Sequence, residues 1–152
     1  MVGIVLPAGK PHTGIEEVKI LRKPDDEIVN NSAAMQDDDD IQLSVAANEV
    51  WYFKLFNLFR SSFGAAIKFG WSVPAGTTML WVAPRHLGET ALTEGQLDIE
   101  TGSGFTEILV HHGIIKVGET AGTVKLQWAQ QTAEDYDTKL YENTHMICWR
   151  VV

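Results

Sequence analysis

The sequence is short of cysteine and of basic residues. Cys148 is the one cysteine in 152 residues, so neither an intrachain disulfide nor a zinc site built from several thiolates is available. Lys and Arg number 12 against 20 Asp and Glu, which gives a net charge of −8. Nucleic acids are bound through clustered Lys and Arg. We therefore expect folding in a reducing cytoplasm and no nucleic-acid partner.

Long hydrophobic runs are also missing. The apolar run within the first nine residues is too short to span a membrane, and no basic segment precedes it as in a signal peptide. We therefore expect no membrane partner. The composition is otherwise that of a globular protein, with 45% hydrophobic and 21% charged residues, and 152 residues fit one domain.

The N-terminal segment is rich in residues that interrupt regular structure, namely Gly3, Pro7, Gly9, Pro11 and Gly14. Proline lacks the amide donor that helices and sheets require, and glycine weakens a strand. We predict an extended N-terminal arm over residues 1–14 and a single domain over residues 15–152. Such an arm can lie across a neighbouring subunit in an assembly, and the alternative is a frayed terminus.

Apolar and polar residues alternate along most of the remaining chain, which is typical of half-buried β-strands. The pattern is clearest over residues 67–73 and recurs over residues 41–45, 124–128 and, more weakly, 18–20. Residues 51–59 are apolar on both faces, as expected of a central strand or of a strand in a subunit interface. Turn-forming clusters separate these runs, and no window has a sustained helical stripe.

These patterns predict an all-β fold, an antiparallel β-sandwich of the jelly-roll kind with eight or nine strands. We interpret residues 47–49 as a hairpin turn that places Leu43 and Val45 beside Trp51 and Phe53. Residues 84–100 are interpreted as a long connection with one short strand. The five tryptophans are expected in the core, and the alternative places one or two of them in a subunit interface.

One dense carboxylate cluster and two adjacent histidines are the candidates for a metal site. Residues 37–40 are consecutive aspartates, but the calcium-loop spacing is absent, so we interpret them as a solvated acidic turn, with a bound cation as the alternative. His111 and His112 point to opposite sides of a strand and cannot together chelate one ion, so we interpret them as ordinary polar positions. We expect no metal.

The motifs of the common enzyme classes are absent from the sequence. It contains no nucleophile elbow, no glycine-rich phosphate loop and no dinucleotide-binding fingerprint. Cys148 lies in an apolar strand segment, where a thiol is usually inert packing. We therefore expect no enzymatic activity, no catalytic residue and no cofactor.

Three stretches resemble small structural proteins of tailed-bacteriophage particles. They are Asn30-Asn31-Ser32 followed by Gln36-Asp37-Asp38-Asp39-Asp40 and Val45-Ala46-Ala47-Asn48-Glu49-Val50-Trp51, then Phe69-Gly70-Trp71-Ser72-Val73-Pro74-Ala75-Gly76, and Gly122-Thr123-Val124-Lys125-Leu126-Gln127-Trp128-Ala129-Gln130. The resemblance covers about residues 15–132, although residues 84–115 depart from the pattern. It implies a β-sandwich subunit, commonly trimeric, on the outside of a capsid or in a fibre.

The resemblance implies a capsid decoration, or cement, protein made in the host cytoplasm and located on the capsid exterior. Its expected partners are the major capsid protein and, in a homotrimer, itself. The candidate contact residues are apolar residues of the arm and of the strand that is apolar on both faces: Val2, Ile4, Val5, Leu6, Pro7, Pro11, Tyr52, Phe56 and Leu58. The alternative is a fibre module that binds a receptor or glycan through exposed aromatics near residues 85–93 or 131–136.

Overall fold

A computed structural model describes residues 14–82 and 91–151 of the chain. These residues form twelve strands and no helix. The strands are β1 (Ile15–Arg22), β2 (Glu27–Val29), β3 (Gln36–Val45), β4 (Val50–Arg60), β5 (Ile67–Ser72), β6 (Thr78–Val82), β7 (Leu92–Thr93), β8 (Asp98–Glu100), β9 (Glu107–Lys116), β10 (Gly122–Gln130), β11 (Thr138–Leu140) and β12 (His145–Val151).

The strands form two antiparallel sheets. The large sheet has the order β1-β12-β4-β9-β6-β7, and β11 joins β2 to the far end of β4. The small sheet has the order β3-β10-β5-β8. The prediction of an all-β antiparallel sandwich is confirmed, whereas the predicted count of eight or nine strands is too low. The additional strands are only two or three residues long, too short for an alternating pattern to reveal them.

The core lies between the sheets and is built from the alternating side chains that the sequence pattern assigns to one face. Trp51, Phe53, Leu55 and Phe59 of β4 are buried against residues of β5 and β10. Phe53 and Trp71 meet edge to face with ring centroids 5.0 Å apart, a favourable geometry for aromatic pairs. Four tryptophans are buried in the core, and Trp149 is only partly buried on the outer face of the large sheet.

The connection between β3 and β4 crosses from one sheet to the other. β3 pairs with β10 in the small sheet, whereas β4 pairs with β12 and β9 in the large sheet, so the predicted hairpin at residues 47–49 is wrong. Asn48 has φ 64°, and its amide donates to the Gly118 carbonyl at 2.8 Å. Turn residues specify that the chain reverses, but the sheet that the next strand joins depends on its partners.

Residues 84–100 contain more strand structure than expected. Within the described part, from residue 91 onward, β7 pairs with β6 at the edge of the large sheet and β8 pairs with β5 in the small sheet. The prediction of one short strand is therefore wrong. Residues 1–13 of the predicted arm lie outside the described residues, and Gly14, at φ 83°, precedes β1 directly.

Candidate interaction surface

The outer face of the large sheet is apolar across five adjacent strands. The strand registers place five side chains in one row that crosses the sheet, namely Val18, Trp149, Tyr52, Ile114 and Leu80. Four of them have large exposed fractions, 53% for Val18, 45% for Tyr52, 53% for Leu80 and 41% for Ile114. Since isolated apolar residues are common on surfaces but contiguous apolar patches are not, this row is the candidate interaction surface.

The neighbouring rows extend this surface and add positive charge. One row contains Ile20, Ile147, Lys54, His112 and Val82, and the row on the other side contains Ile15, Val151, Val50, Lys116 and Thr78. Among the described residues, the titratable side chains of these two flanking rows are Lys54, Lys116 and His112, and all three are of basic residue types. They stand out in a chain whose net charge is −8.

Two adjacent hollows lie on this face, and we call them together the trough. The first is lined by Ile15, Tyr52, Lys54, His112, Trp149 and Val151, and the second by Tyr52, Leu80, Val82, His112 and Ile114 among others. The hollows are adjacent because Tyr52 and His112 line both. No carboxylate is among the described residues that line these two hollows, and a third hollow next to them, which shares Leu80 and Ile114, is lined by Glu94 together with Lys116.

The outer face of the small sheet is polar over β3 and β10, whereas Ile99 of β8, 51% exposed beside Lys68 of β5, and Leu97, which lies over Gly70, are apolar. Outward register positions carry Asp37, Gln42 and Ser44 on β3 and Lys125 and Gln127 on β10. The Asp37 carboxylate accepts hydrogen bonds from Lys125 Nζ and Gln127 Nε2, both at 2.8 Å, and these bonds hold the pKa of Asp37 below its ordinary value. The outer surface of β3 and β10 is therefore hydrophilic, whereas the outer surface of the large sheet is mainly apolar.

The structure places three of the predicted contact residues on the apolar face. Tyr52 lines the trough, and Phe56 and Leu58 continue the outward-facing positions of β4 as half-buried side chains. The predicted arm contacts Val2, Ile4, Val5, Leu6, Pro7 and Pro11 lie outside the described residues. The contributions of Ile114, Leu80 and Trp149 were missed, because only strand pairing brings them beside Tyr52.

The aspartate cluster belongs to a strand and not to a solvated turn, so that prediction is wrong. Between Asp37 and Gln42, which pair with Gln127 and Lys125, residues 38–41 of β3 lie opposite Leu126 alone. This bulge turns Asp38 inward, where it is fully buried and 2.8 Å from Lys23 Nζ. A bulge re-aims side chains that strict alternation assigns to the other face.

Lys23 is the cation that this cluster binds. Its side chain is 1% exposed, and Nζ lies 2.6 Å from Glu27 and 3.3 Å from Asp40 as well as contacting Asp38. Burial by itself lowers the pKa of Lys23, but hydrogen bonds and attraction from Asp38 and Glu27 outweigh burial, so its pKa is raised above the ordinary value. The carboxylates therefore form a structural ion cluster.

His111 is a buried core residue, and its interpretation as an ordinary polar position is wrong. Its Nδ1 lies 2.9 Å from Asn57 Nδ2, and its Nε2 lies 2.9 Å from an Asp98 carboxylate oxygen. His111 therefore bridges the Asn57 amide and the Asp98 carboxylate through its two ring nitrogens. The sequence did contain an indication of this buried polar site, because Asn57 on β4 and His111 on β9 are polar residues at inward positions of otherwise apolar strands. His112 faces outward, as predicted for the neighbouring residue.

Cys148 is buried in the core, and burial raises the pKa of its thiol to about 12. Since the thiolate is the reactive form, the folded protein should not react with a thiol-specific disulfide reagent at neutral pH. We expect full reaction once the chain is unfolded in urea. Absorbance titration under both conditions measures this, and rapid labelling of the folded protein would contradict the burial of Cys148.

A second exposed apolar feature lies on two loops at one end of the sandwich. Phe63, between β4 and β5, is 81% exposed, and Phe105, between β8 and β9, is 76% exposed. The loops are joined by a hydrogen bond of 2.9 Å from the Gly104 amide to the Ser61 carbonyl. Phe63 lies between Ser62 and Gly64, and Phe105 follows Ser103 and Gly104. An aromatic residue among turn-forming residues was the sequence feature that could have found them.

The aromatic loops do not fall where a glycan-binding fibre module was expected to have them. Tyr136, in the predicted region of residues 131–136, is partly buried and has the Arg60 guanidinium 5.8 Å from its ring centroid. Residues 85–90 lie outside the described residues. The exposed aromatics of the described loops are Phe63 and Phe105 instead.

The structure defines an all-β protein with two antiparallel sheets and an apolar, basic face on the larger sheet. Among residues 14–82 and 91–151, no group of three or more His, Cys, Asp or Glu side chains could hold a metal ion. The described residues contain no helix long and apolar enough to cross a membrane. No family model, no curated protein and no solved structure matches the chain.

Proposed function

We propose that the chain is a non-enzymatic structural protein of a bacteriophage particle, a decoration subunit that stabilises the capsid by contacting neighbouring subunits. The observation that carries the proposal is the difference between the two outer faces of the sandwich. On β3 and β10 the small sheet presents polar, mutually hydrogen-bonded side chains, with apolar Ile99 and Leu97 confined to its β8 edge, whereas the large sheet presents an apolar row that crosses five strands. A protein that acts through surface contact needs such a face and needs no reactive group.

The apolar face is large enough to contribute usefully to binding. Five strands about 4.8 Å apart and three rows of side chains cover roughly 400 Å². Lys54, His112, Lys116 and Thr78 occupy part of this area. At about 25 cal/mol per Å² of apolar surface, covering the face therefore contributes less than roughly 10 kcal/mol before the costs of association and ordering are subtracted. Because the subunit binds only the assembled lattice, this energy stabilises the assembled state by mass action.

The proposed partners are the major capsid protein and further copies of the chain in a homotrimer on the capsid exterior. A trimer presents three copies of the same contact surface, so contacts that are weak singly become strong when they engage together. The arm residues Val2, Ile4, Val5, Leu6, Pro7 and Pro11 are proposed to add contacts to a neighbour. They supply apolar area without belonging to the core of their own subunit.

Copy number separates this proposal from the alternative of a receptor-binding or glycan-binding fibre module. A decoration protein covers a lattice, so we expect on the order of hundreds of copies per particle, whereas a fibre is present in a few dozen copies or fewer. Quantitative gel densitometry of purified particles, calibrated against the major capsid protein, measures this. A copy number in the fibre range would overturn the decoration role.

Placing a charge on the apolar face should weaken attachment to the particle. In Tyr52→Glu the added carboxylate would be buried in the interface, which costs several kcal/mol, so we expect binding to particles stripped of the protein to weaken about 100-fold. Ser44→Glu, on the exposed face of the small sheet, is the matched control and should bind normally. Co-sedimentation with the stripped particles measures both. Equal binding of both variants would contradict the proposed face.

A further inference from the structure

The loop pair at the end of the sandwich combines exposed aromatic rings with carboxylates. Glu134 Oε2 accepts from Ser62 Oγ at 2.8 Å beside Phe63, and Glu107 Oε1 accepts from the Ser103 amide at 2.9 Å near Phe105. We call Phe63, Phe105, Glu107 and Glu134 the knob. These hydrogen bonds fix two negative charges next to two exposed rings, so the knob is an apolar projection with an acidic base.

The knob and the trough of one chain are far apart. The knob loops follow the end of β4 after Arg60 and precede the start of β9, whereas Tyr52 in the trough lies eight residues before Arg60 on β4. At about 3.3 Å per residue, that separation is roughly 26 Å along the sheet, and His112 of the trough lies five residues, roughly 16 Å, after Glu107 of the knob on β9. A single subunit therefore presents both surfaces at once, and neither covers the other.

The two surfaces are complementary in chemistry. The trough is apolar with Lys54 and His112 among its lining residues, and the knob is apolar with Glu107 and Glu134 beside its rings. Contact between two troughs would instead bring the Lys54 ammonium groups of the two copies onto the same apolar surface, which is unfavourable. Charge complementarity therefore favours a knob and a trough from different copies over two identical faces.

We propose that the knob of one copy of this chain docks into the trough of a second copy. The contact is head to tail, so each subunit donates a knob to one neighbour and receives a knob from another. Such a contact closes into a ring when the rotation between subunits allows, and otherwise it continues as a filament. The inference rests on the proposed function and deepens it, because it assigns the contact that holds the proposed homotrimer together. Tyr52→Glu then weakens attachment to the particle by breaking this contact and with it the avidity of the trimer.

Two complementary variants test the contact by sedimentation velocity. Lys54→Glu reverses the charge of the trough and retains the knob, whereas Phe63→Ser with Phe105→Ser removes the rings of the knob and retains the trough. We expect the wild-type chain to form a closed oligomer and each variant alone to be monomeric. An equimolar mixture should form a dimer and nothing larger, because only one intact knob and one intact trough can meet.

The controls make each outcome decisive. Lys68→Glu changes the same kind of charge on the small sheet and should assemble as the wild type does. Near-ultraviolet circular dichroism of each variant confirms that it is folded, which is expected because all the altered side chains lie on the surface or only partly buried. A monomeric wild type at all concentrations, undiminished assembly of either variant, or a mixture that stays monomeric would overturn the head-to-tail contact.

Failure of this contact is distinguishable from failure of the proposed function. A high copy number on particles together with a monomeric wild type in solution would sink the knob-and-trough contact and leave the decoration role standing. A low copy number together with normal assembly would overturn the decoration role and leave the knob-and-trough contact standing.

Discussion

Asp38→Ala should lower the free energy of unfolding by about 3 to 5 kcal/mol, which is the usual cost of removing one partner from a buried ion pair. Lys23 would remain buried with its charge opposed only by Glu27 and the more exposed Asp40. The backbone amides of Asp40 and Ile41, which donate to Asp38 Oδ1 at 3.0 and 2.8 Å, would also lose their acceptor. Urea denaturation measures the change, and the melting temperature should fall by about 10 °C.

Two further variants separate the causes of this loss. Asp38→Asn keeps an oxygen for the two backbone amides but loses the charge opposite Lys23, so we expect an intermediate loss of stability. Asp39→Ala removes an exposed aspartate from the same bulge and should change stability by less than about 0.5 kcal/mol. Equal effects of Asp38→Ala and Asp39→Ala would show that the Lys23 cluster does not stabilise the fold.

Gly113→Ala should destabilise the large sheet by about 3 kcal/mol or more. A Cβ atom at this position would lie 2.3 Å from the Leu80 carbonyl oxygen and 2.8 Å from the Trp81 Cα. These are backbone atoms of β6, which pairs with β9 at this point, so the added methyl group can be accommodated only if the two strands separate. Chemical denaturation of the variant measures the loss.

Gly95→Ala is the matched control for this prediction. No heavy atom lies within 4 Å of the position that its Cβ would occupy, so the same substitution adds no clash. We expect a change within about 0.5 kcal/mol of the wild type. Since β6 carries Leu80 and Val82 of the trough, Gly113→Ala should also impair oligomer assembly, which sedimentation of the folded fraction would detect. Wild-type stability of Gly113→Ala would mean that β6 is not held against β9 as described.

The long strands could be predicted from the sequence because apolar and polar residues alternate along them, and this alternation places the apolar side chains on the face that becomes buried. A strand exposes successive side chains to opposite faces, so residues 51–59 and 67–73 carry their burial pattern in the order of their residues. The same rule identified Tyr52, Phe56 and Leu58 as apolar residues on the second face of β4. The alternation rule identified the outward face of β4, but it could not show that the apolar surface extends over the neighbouring strands.

The bulge in β3 and the burial of His111 show where local reasoning fails. Strict alternation treats the four aspartates as a polar run, but a bulge in pairing with β10 turns Asp38 toward Lys23, which lies 15 residues earlier in the chain. His111 is surrounded by apolar residues in the sequence and is bound by Asn57 and Asp98 from two other strands. Neither partner can be inferred without knowing which strands are adjacent.

The sequence by itself determined the all-β class, the long strands and the inert character of Cys148, because these depend on residue order and on local chemistry. The tertiary structure alone decided which strands share a sheet, and thereby which side chains share a face. Tyr52, Trp149, Ile114 and Leu80 form one surface because β12, β4, β9 and β6 are hydrogen-bonded side by side. That adjacency results from long-range pairing, in which separated segments compete for partners by burying a common core.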